Sequence, residues 1–275
     1  MEIEYNDIFN FPSRTLLNKR LTKVFFTKNF DLSSSEKKTL QNEVIRMEWV
    51  SSLKPLNTNI PKFETETHLV EEVQFMTCTI TNLDKHGKVV VDFFQKYIPY
   101  QIVLVVEDDG YWMLNLTNKR INLNNKSKRT IEKSFSTNLI NKTESETVKD
   151  FVKTLSFDRV DRTNLYTVYQ SYINAVIQLK SSEITGVFNV QNLQNNQRDI
   201  LSIERLENLE MEINTLKKKL KKESQISDKV LINIKIQTIK SKGLNVKVIS
   251  FVEDKFNHCL FRYTSRIIFF YLIKM

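Results

Sequence analysis

Residues 101–117 read QIVLVVEDDGYWMLNLT, and this stretch decides the fold. Residues 101–106 are an almost unbroken aliphatic run, the composition of a strand buried on both faces. Asp109-Gly110 marks a tight turn, because Asp bonds nearby backbone and Gly accepts φ > 0. Residues 111–117 then alternate, so the two halves predict an antiparallel hairpin.

Upstream, residues 70–80 (VEEVQFMTCTI) predict another interior strand. Val73, Phe75 and Thr77 share one face; Met76, Cys78 and Ile80 share the other. Between the two strands, Val90, Phe93, Phe94 and Tyr97 stand at i, i+3, i+4, i+7, a short helix closed by Pro99. Farther back, Ser33 and Glu36 form a capping box. Leu40, Val44 and Met47, with Ile45, Trp49 and Leu53 on an adjoining stripe, extend this into one predicted helix ending before Pro55. Downstream, a strand is expected near 133–140. A helix opened by Thr143 and Glu146 would follow, carrying Val148, Phe151, Val152 and Leu155. The fold class is therefore α+β, a mixed β-sheet with flanking helices, and the core domain spans 1–160.

From 161 the pattern changes. Leu165, Tyr169, Tyr172, Val176 and Leu179 repeat at intervals of four and three, the mark of a long helix. A joint rich in Asn and Gln over 189–197 closes this 161–197 segment. Leu206, Leu209, Ile213, Leu216 and Leu220 then set a heptad seam in an amphipathic helix, or short coiled coil, over 198–242. Its acids Glu207, Glu210 and Glu212 give way to Lys217, Lys218, Lys219, Lys221 and Lys222, the order the helix dipole favours. These five apolar seam residues are the candidate partner-binding set. Residues 243–275 lose all period, and read either as a strand or two folding back or as a frame-shifted, non-native end.

Composition narrows the function. The 275 residues carry 41 Lys+Arg against 32 Asp+Glu, a net charge of +9, and 41% are hydrophobic, enough for a core. Only 4 Gly and 4 Pro are present, which excludes collagen-like repeats and glycine-built phosphate loops. Cys78 and Cys259 are expected to build neither a disulfide framework nor a four-ligand zinc site. The start lacks a basic segment leading into an apolar one, and the longest apolar run, 267–273, is too short to span a bilayer. A cytoplasmic protein without membrane attachment is expected.

Chemistry is sparse. His68, His86 and His258 are far apart, and no nucleophile elbow or dinucleotide loop occurs. No catalytic residue, metal or cofactor is therefore assigned. Glu107, Asp108 and Asp109 are explained by the turn they flank. Glu72-Val73-Gln74 superficially resembles the acid-x-Lys/Gln element of metal-dependent nucleases, but no matching acid is identifiable and a helix directly follows the strand. The densest positive run is Lys119, Arg120, Lys126, Lys128, Arg129 and Lys133, a candidate phosphate-binding loop next to Tyr111 and Trp112.

Five ordered stretches carry a resemblance: FPSRTLLNKRLTK (11–23), IRMEWVSSLKPLNTNI (45–60), VEEVQF (70–75), YIPYQIVLVVEDDGYWMLNL (97–116) and NLYTVYQSYI (164–173). With the Leu- and Lys-rich helix that follows, they resemble a bacterial family catalogued as domain of unknown function 4391, over roughly residues 5 to 240. The resemblance implies a component of a DNA-processing or antiphage system, with a helicase or DNA methyltransferase as protein partner. It lends no catalytic residues. The leading expectation is a non-enzymatic accessory subunit assembling, or self-associating, through the C-terminal helix. The alternatives are a nucleic-acid-binding module using the basic run and, third, a metal-dependent nuclease at Glu72.

Overall fold

The computed structural model describes residues 5–125, 128–142, 146–185, 188 and 193–243. The chain opens with a short helix, α1 (Tyr5–Phe9), and a strand, β1 (Leu16–Arg20). Helices α2 (Lys23–Asn29) and α3 (Ser34–Asn42) lead into β2 (Val44–Leu53). A single turn, α4 (Pro55–Thr58), precedes two short strands, β3 (Phe63–Glu64) and β4 (Leu69–Val70). The centre follows: β5 (Val73–Ile80), α5 (Leu83–Tyr97), β6 (Gln101–Glu107) and β7 (Tyr111–Ile121). The last strands are β8 (Arg129–Ser136) and β9 (Ile140–Asn141). Helices α6 (Glu146–Thr154), α7 (Leu165–Thr185), α8 (Leu193–Lys222) and α9 (226–243) complete the described chain.

Seven strands form one mixed sheet in the order β1-β2-β5-β6-β7-β8, with β9 also pairing to β7. Only β5 and β6 are parallel, because α5 carries the chain back across the sheet between them. β3 and β4 make a separate two-stranded ribbon. The fold is α+β, as the strand and helix pattern predicts.

Both faces of the central strands are covered, which is why β5 and β6 lack polar alternation. On one face Met76, Cys78, Ile102, Leu104 and Met113 pack against Phe26, Leu40, Val90, Phe93 and Phe94. On the other, Phe75 meets Phe9, Phe11 and Tyr172, with ring centroids 4.5–5.3 Å apart. Tyr169 ties α7 to the sheet: its hydroxyl donates toward Ile102 O at 3.0 Å and accepts from Thr117 N at 2.8 Å. Gly87 sits where α5 crosses β7; a Cβ there would lie 2.9 Å from Leu83 Cδ1 and 3.3 Å from Met113 Sδ.

Several sequence expectations need correction. The helix begun at the capping box stops at Asn42, and 44–53 is a strand rather than its continuation. Leu40, Val44 and Met47 do enter one core cluster, so the spacing read burial correctly across two elements. Pairing of 44–53 with β5 along its whole length decided the geometry. β1 escaped notice because four of its five residues are exposed, leaving no apolar alternation. α5 starts at Leu83, where Asn82 Oδ1 accepts from Lys85 N at 2.8 Å, so the helix begins well before Val90 and includes His86 and Gly87. β8 begins at Arg129, and part of the expected basic loop is therefore strand. The Thr143 cap, residues 189–192 of the joint, His258, Cys259 and the tail from 244 lie outside the described residues.

The described residues fall into two compact units divided between Leu179 and Lys180, so the last turn of α7 belongs with α8 and α9. Among them, no helix is long and apolar enough to cross a membrane.

Candidate functional site

The basic run does not form one surface. Side chains alternate along β7, which turns Lys119 inward to 1% exposure. Its Nζ donates to Ile98 O at 2.8 Å and Tyr100 O at 2.9 Å. Those carbonyls follow the end of α5, where a cation answers both the unpaired acceptors and the negative end of the dipole. Burial, and secondarily the Arg129 charge, pushes the Lys119 pKa down to about 7. Lys119 therefore offers nothing to a phosphate at the surface, a correction to the sequence reading.

The other members scatter. Arg120 Nε lies 3.2 Å from Glu132 Oε1, so its charge is answered across the β7–β8 pair. Lys133 Nζ stands 5.2 Å over the Phe135 ring. Lys128 is exposed, and Arg129 is half-buried beside Glu71 and Glu72 in a polar cleft. Lys126 lies outside the described residues.

Glu72 is 5% exposed at the start of β5. One carboxylate oxygen accepts from Ser52 Oγ at 2.6 Å and Gln74 Nε2 at 3.0 Å. Lys54 Nζ stands 3.3 Å from the other. A hydroxyl, an amide and an ammonium thus already answer this charge. Among the described residues no group of three or more His, Cys, Asp or Glu could hold a metal ion. The sequence objection that a helix directly follows the first strand does not stand, since β1, β2 and β5 all precede α5.

A cavity of about 370 Å³ opens on the same side of Gln74. Phe25, Phe30, Trp49, Met76, Ile98 and Tyr100 wall it, and Lys19 and Arg20 line it from the exposed edge strand. A register shift between Leu16 and Lys19, with Asn18 at φ 45°, interrupts strand alternation just before these two cations. Trp49 Nε1 and Gln74 Oε1 are buried without a hydrogen-bond partner among the described residues. Gln74 gives its amide N–H to Glu72, which leaves the carbonyl oxygen as the free end. Of these four residues, the sequence reading placed Trp49 on a helix stripe and Gln74 in a nuclease-like element, and assigned Lys19 and Arg20 to no site. The adjacent Lys19-Arg20 pair was the available signal, hidden in a segment with no predicted element.

In the second unit, the expected single helix over 198–242 breaks at 223–225. There the Glu223 carboxylate accepts from Ser224 N at 2.8 Å and Gln225 N at 3.1 Å. The chain reverses: a Cβ at Gly243 would lie 3.8 Å from Leu206 Cδ2 and 3.9 Å from Leu209 Cδ1. Leu206 is buried, Leu209, Ile213, Leu216 and Leu220 are half-buried, and Ile236 and Ile239 of α9 are buried. The heptad seam thus faces its own chain in an antiparallel hairpin. The opposite side of α9 exposes Ile226 at 80%, Val230 at 52%, Leu231 at 57% and Ile234 at 57%. A groove runs along it past Val230, Ile234, Gln237 and Ser241.

These features define an α+β protein with a central mixed sheet, an apolar cavity edged by polar groups and a helical hairpin. A family model described as Domain of unknown function (DUF4391) matches residues 9–242, and the chain belongs to that family. No curated protein and no solved structure matches it.

Proposed function

We propose that this protein is an accessory interaction subunit of a bacterial DNA-processing system, docking on its protein partner through the outer face of α9. The observation that carries the reading is the exposed series Ile226, Val230 and Ile234, at i, i+4, i+8, opposite the residues α9 buries against α8. A helix apolar on two faces satisfies only one within a two-helix hairpin; the other gains from a partner. The resemblance read from the sequence supplies the expected partner, a helicase or DNA methyltransferase.

The test is the full chain carrying Val230→Glu and Ile234→Glu, affinity-purified from its native host. Each aliphatic side chain is worth about 1.5–3 kcal/mol on burial, so the pair should weaken the complex at least about a hundredfold. The melting temperature should be unchanged, because both side chains are already exposed. A variant that still co-purifies the helicase or methyltransferase sinks the docking face.

A second reading is self-association. Along α8 the acids Glu204, Glu207, Glu210 and Glu212 precede Lys217–Lys219, Lys221 and Lys222, so two antiparallel copies would match opposite charges. Light scattering on the wild-type chain separates the readings: a mass near 32.5 kDa excludes self-association, and twice that mass supports it.

A further inference from the structure

We infer that the outer side of the segment running through β1, α2 and α3 is a nucleic-acid-binding surface that grips the phosphate backbone. It belongs wholly to the first unit, so it does not depend on the docking face of α9.

The first observation is where the charge lies. Residues 13–42 hold seven Lys+Arg against two Asp+Glu, so more than half of the chain's net +9 is concentrated there. The same segment has an inner and an outer side. Leu21, Phe26, Leu32 and Leu40 point into the core cluster under the sheet. Arg14, Lys19, Arg20, Lys28, Lys37 and Lys38 stay exposed. A layer that buries its apolar residues inward carries its cations on the surface it leaves to solvent.

The second is that this charge is unanswered. None of these six side chains makes an ion pair or hydrogen bond among the described residues. Of the two acids, Glu36 takes Lys96 and Tyr97 of α5, at 2.8 and 2.9 Å, so its charge is balanced from outside the layer. Asp31 is the remaining acid. Elsewhere Lys54, Arg120, Lys142 and Lys180 each face a carboxylate. An uncompensated positive surface of this kind is the electrostatic footprint of a polyanion.

The third is the chemistry that selects among polyanions. Four of the six cations are lysines, which protein interfaces disfavour and phosphate contacts use. A membrane surface takes an amphipathic helix by its apolar side, and those of α2 and α3 are already in the core through Phe26 and Leu40. Between the cations, α2 exposes Phe25 at 43%, its ring held edge-on by Phe26 and Phe30 at centroid distances of 5.4 and 6.1 Å. A ring fixed in this way offers a platform on which an unpaired base can stack.

Backbone contacts of this kind can be made to a single strand or to a duplex. Fluorescence anisotropy of the full chain with a labelled single-stranded oligonucleotide and with its duplex, over a salt series, separates the two. Tighter binding of the single strand, lost on Phe25→Leu, assigns the ring its stacking role; equal or tighter binding of the duplex assigns backbone contact alone. In either case Arg20→Gln with Lys38→Gln removes two phosphate contacts. The slope of log affinity against log salt should then flatten by about 1.4 on the single strand and about 1.8 on the duplex. Both residues are exposed, so this variant should melt as the wild type does. Lys128→Gln with Lys133→Gln removes the same charge outside the layer and should leave the slope unchanged. The inference is overturned if neither nucleic acid binds up to about 1 mM at low salt, whether or not phosphatidylserine vesicles do. It is equally overturned if the control pair moves the slope as much as the layer pair.

Discussion

Lys119 stands on a strand between two residues that point the opposite way, and this alternation makes it a core residue despite its charge. Its ammonium bridges two carbonyls beyond α5, while Gln95, Asn115 and Thr117 fill the same face with hydrogen bonds of 2.7–2.8 Å. Lys119→Met keeps the apolar stem but leaves the carbonyls of Ile98 and Tyr100 without this donor. The pH dependence has a definite sign. With its folded pKa depressed to about 7, the unfolded chain holds a proton that the folded chain lacks between about pH 7 and the usual Lys value near 10.5. Stability from this group therefore rises with pH across that window and is flat below it. Urea unfolding should show wild type gaining on Lys119→Met between about pH 7 and 9, the variant costing about 1–3 kcal/mol at the upper end. A constant difference would contradict the buried, readily neutralised lysine. Sequence displayed this charge in a basic run; nothing local to it reveals that the side chain points inward.

At the scale of elements, the helix start at Ser33 was fully legible. Ser33 Oγ accepts from Glu36 N at 3.2 Å, and Ser33 N donates to Glu36 Oε2 at 2.8 Å, the reciprocal box its spacing implies. What the spacing did not announce is that Glu36 also receives Lys96 Nζ at 2.8 Å and Tyr97 Oη at 2.9 Å, tying α3 to α5. Burial raises the Glu36 pKa, but these hydrogen bonds outweigh it and hold the carboxyl at about 2. Ser33→Ala should cost about 1 kcal/mol in urea unfolding. Glu36→Gln should cost more, because it weakens the link between two helices as well as the cap. Equal losses would mean that the contacts to α5 contribute nothing. The end of that helix was misread because Leu40, Val44 and Met47 satisfy a helical period while belonging to a helix and then a strand. The break at 223–225 was invisible for a related reason: no Gly or Pro marks it, and the turn is closed by the Glu223 carboxylate.

For the whole molecule, the division between Leu179 and Lys180 has an experimental consequence. The sheet with its two helical layers contains its own core, from Phe26 to Phe94 on one face and Phe75 to Tyr172 on the other. A fragment of residues 1–185 should therefore fold alone, with a cooperative melt and the circular dichroism of an α+β domain. A fragment without a cooperative transition would show that the first unit depends on the second. The proposed docking face lies in the second unit, so the fragment should lose the partner complex while keeping its fold.

Local pattern determined the α+β class, the hairpin around Asp109-Gly110, the interior character of β5 and β6, the box at Ser33 and the family. Each rests on residues within one element, where propensity, spacing and turn chemistry act directly. Tertiary structure decided the rest. It made 44–53 a strand by giving it a partner in β5, folded the heptad seam onto α9, and buried Lys119. It also gathered Lys19, Trp49, Gln74 and Tyr100 from four separate stretches around one cavity. Contacts between distant residues come from packing apolar faces against one another, and no local spacing encodes which faces will meet.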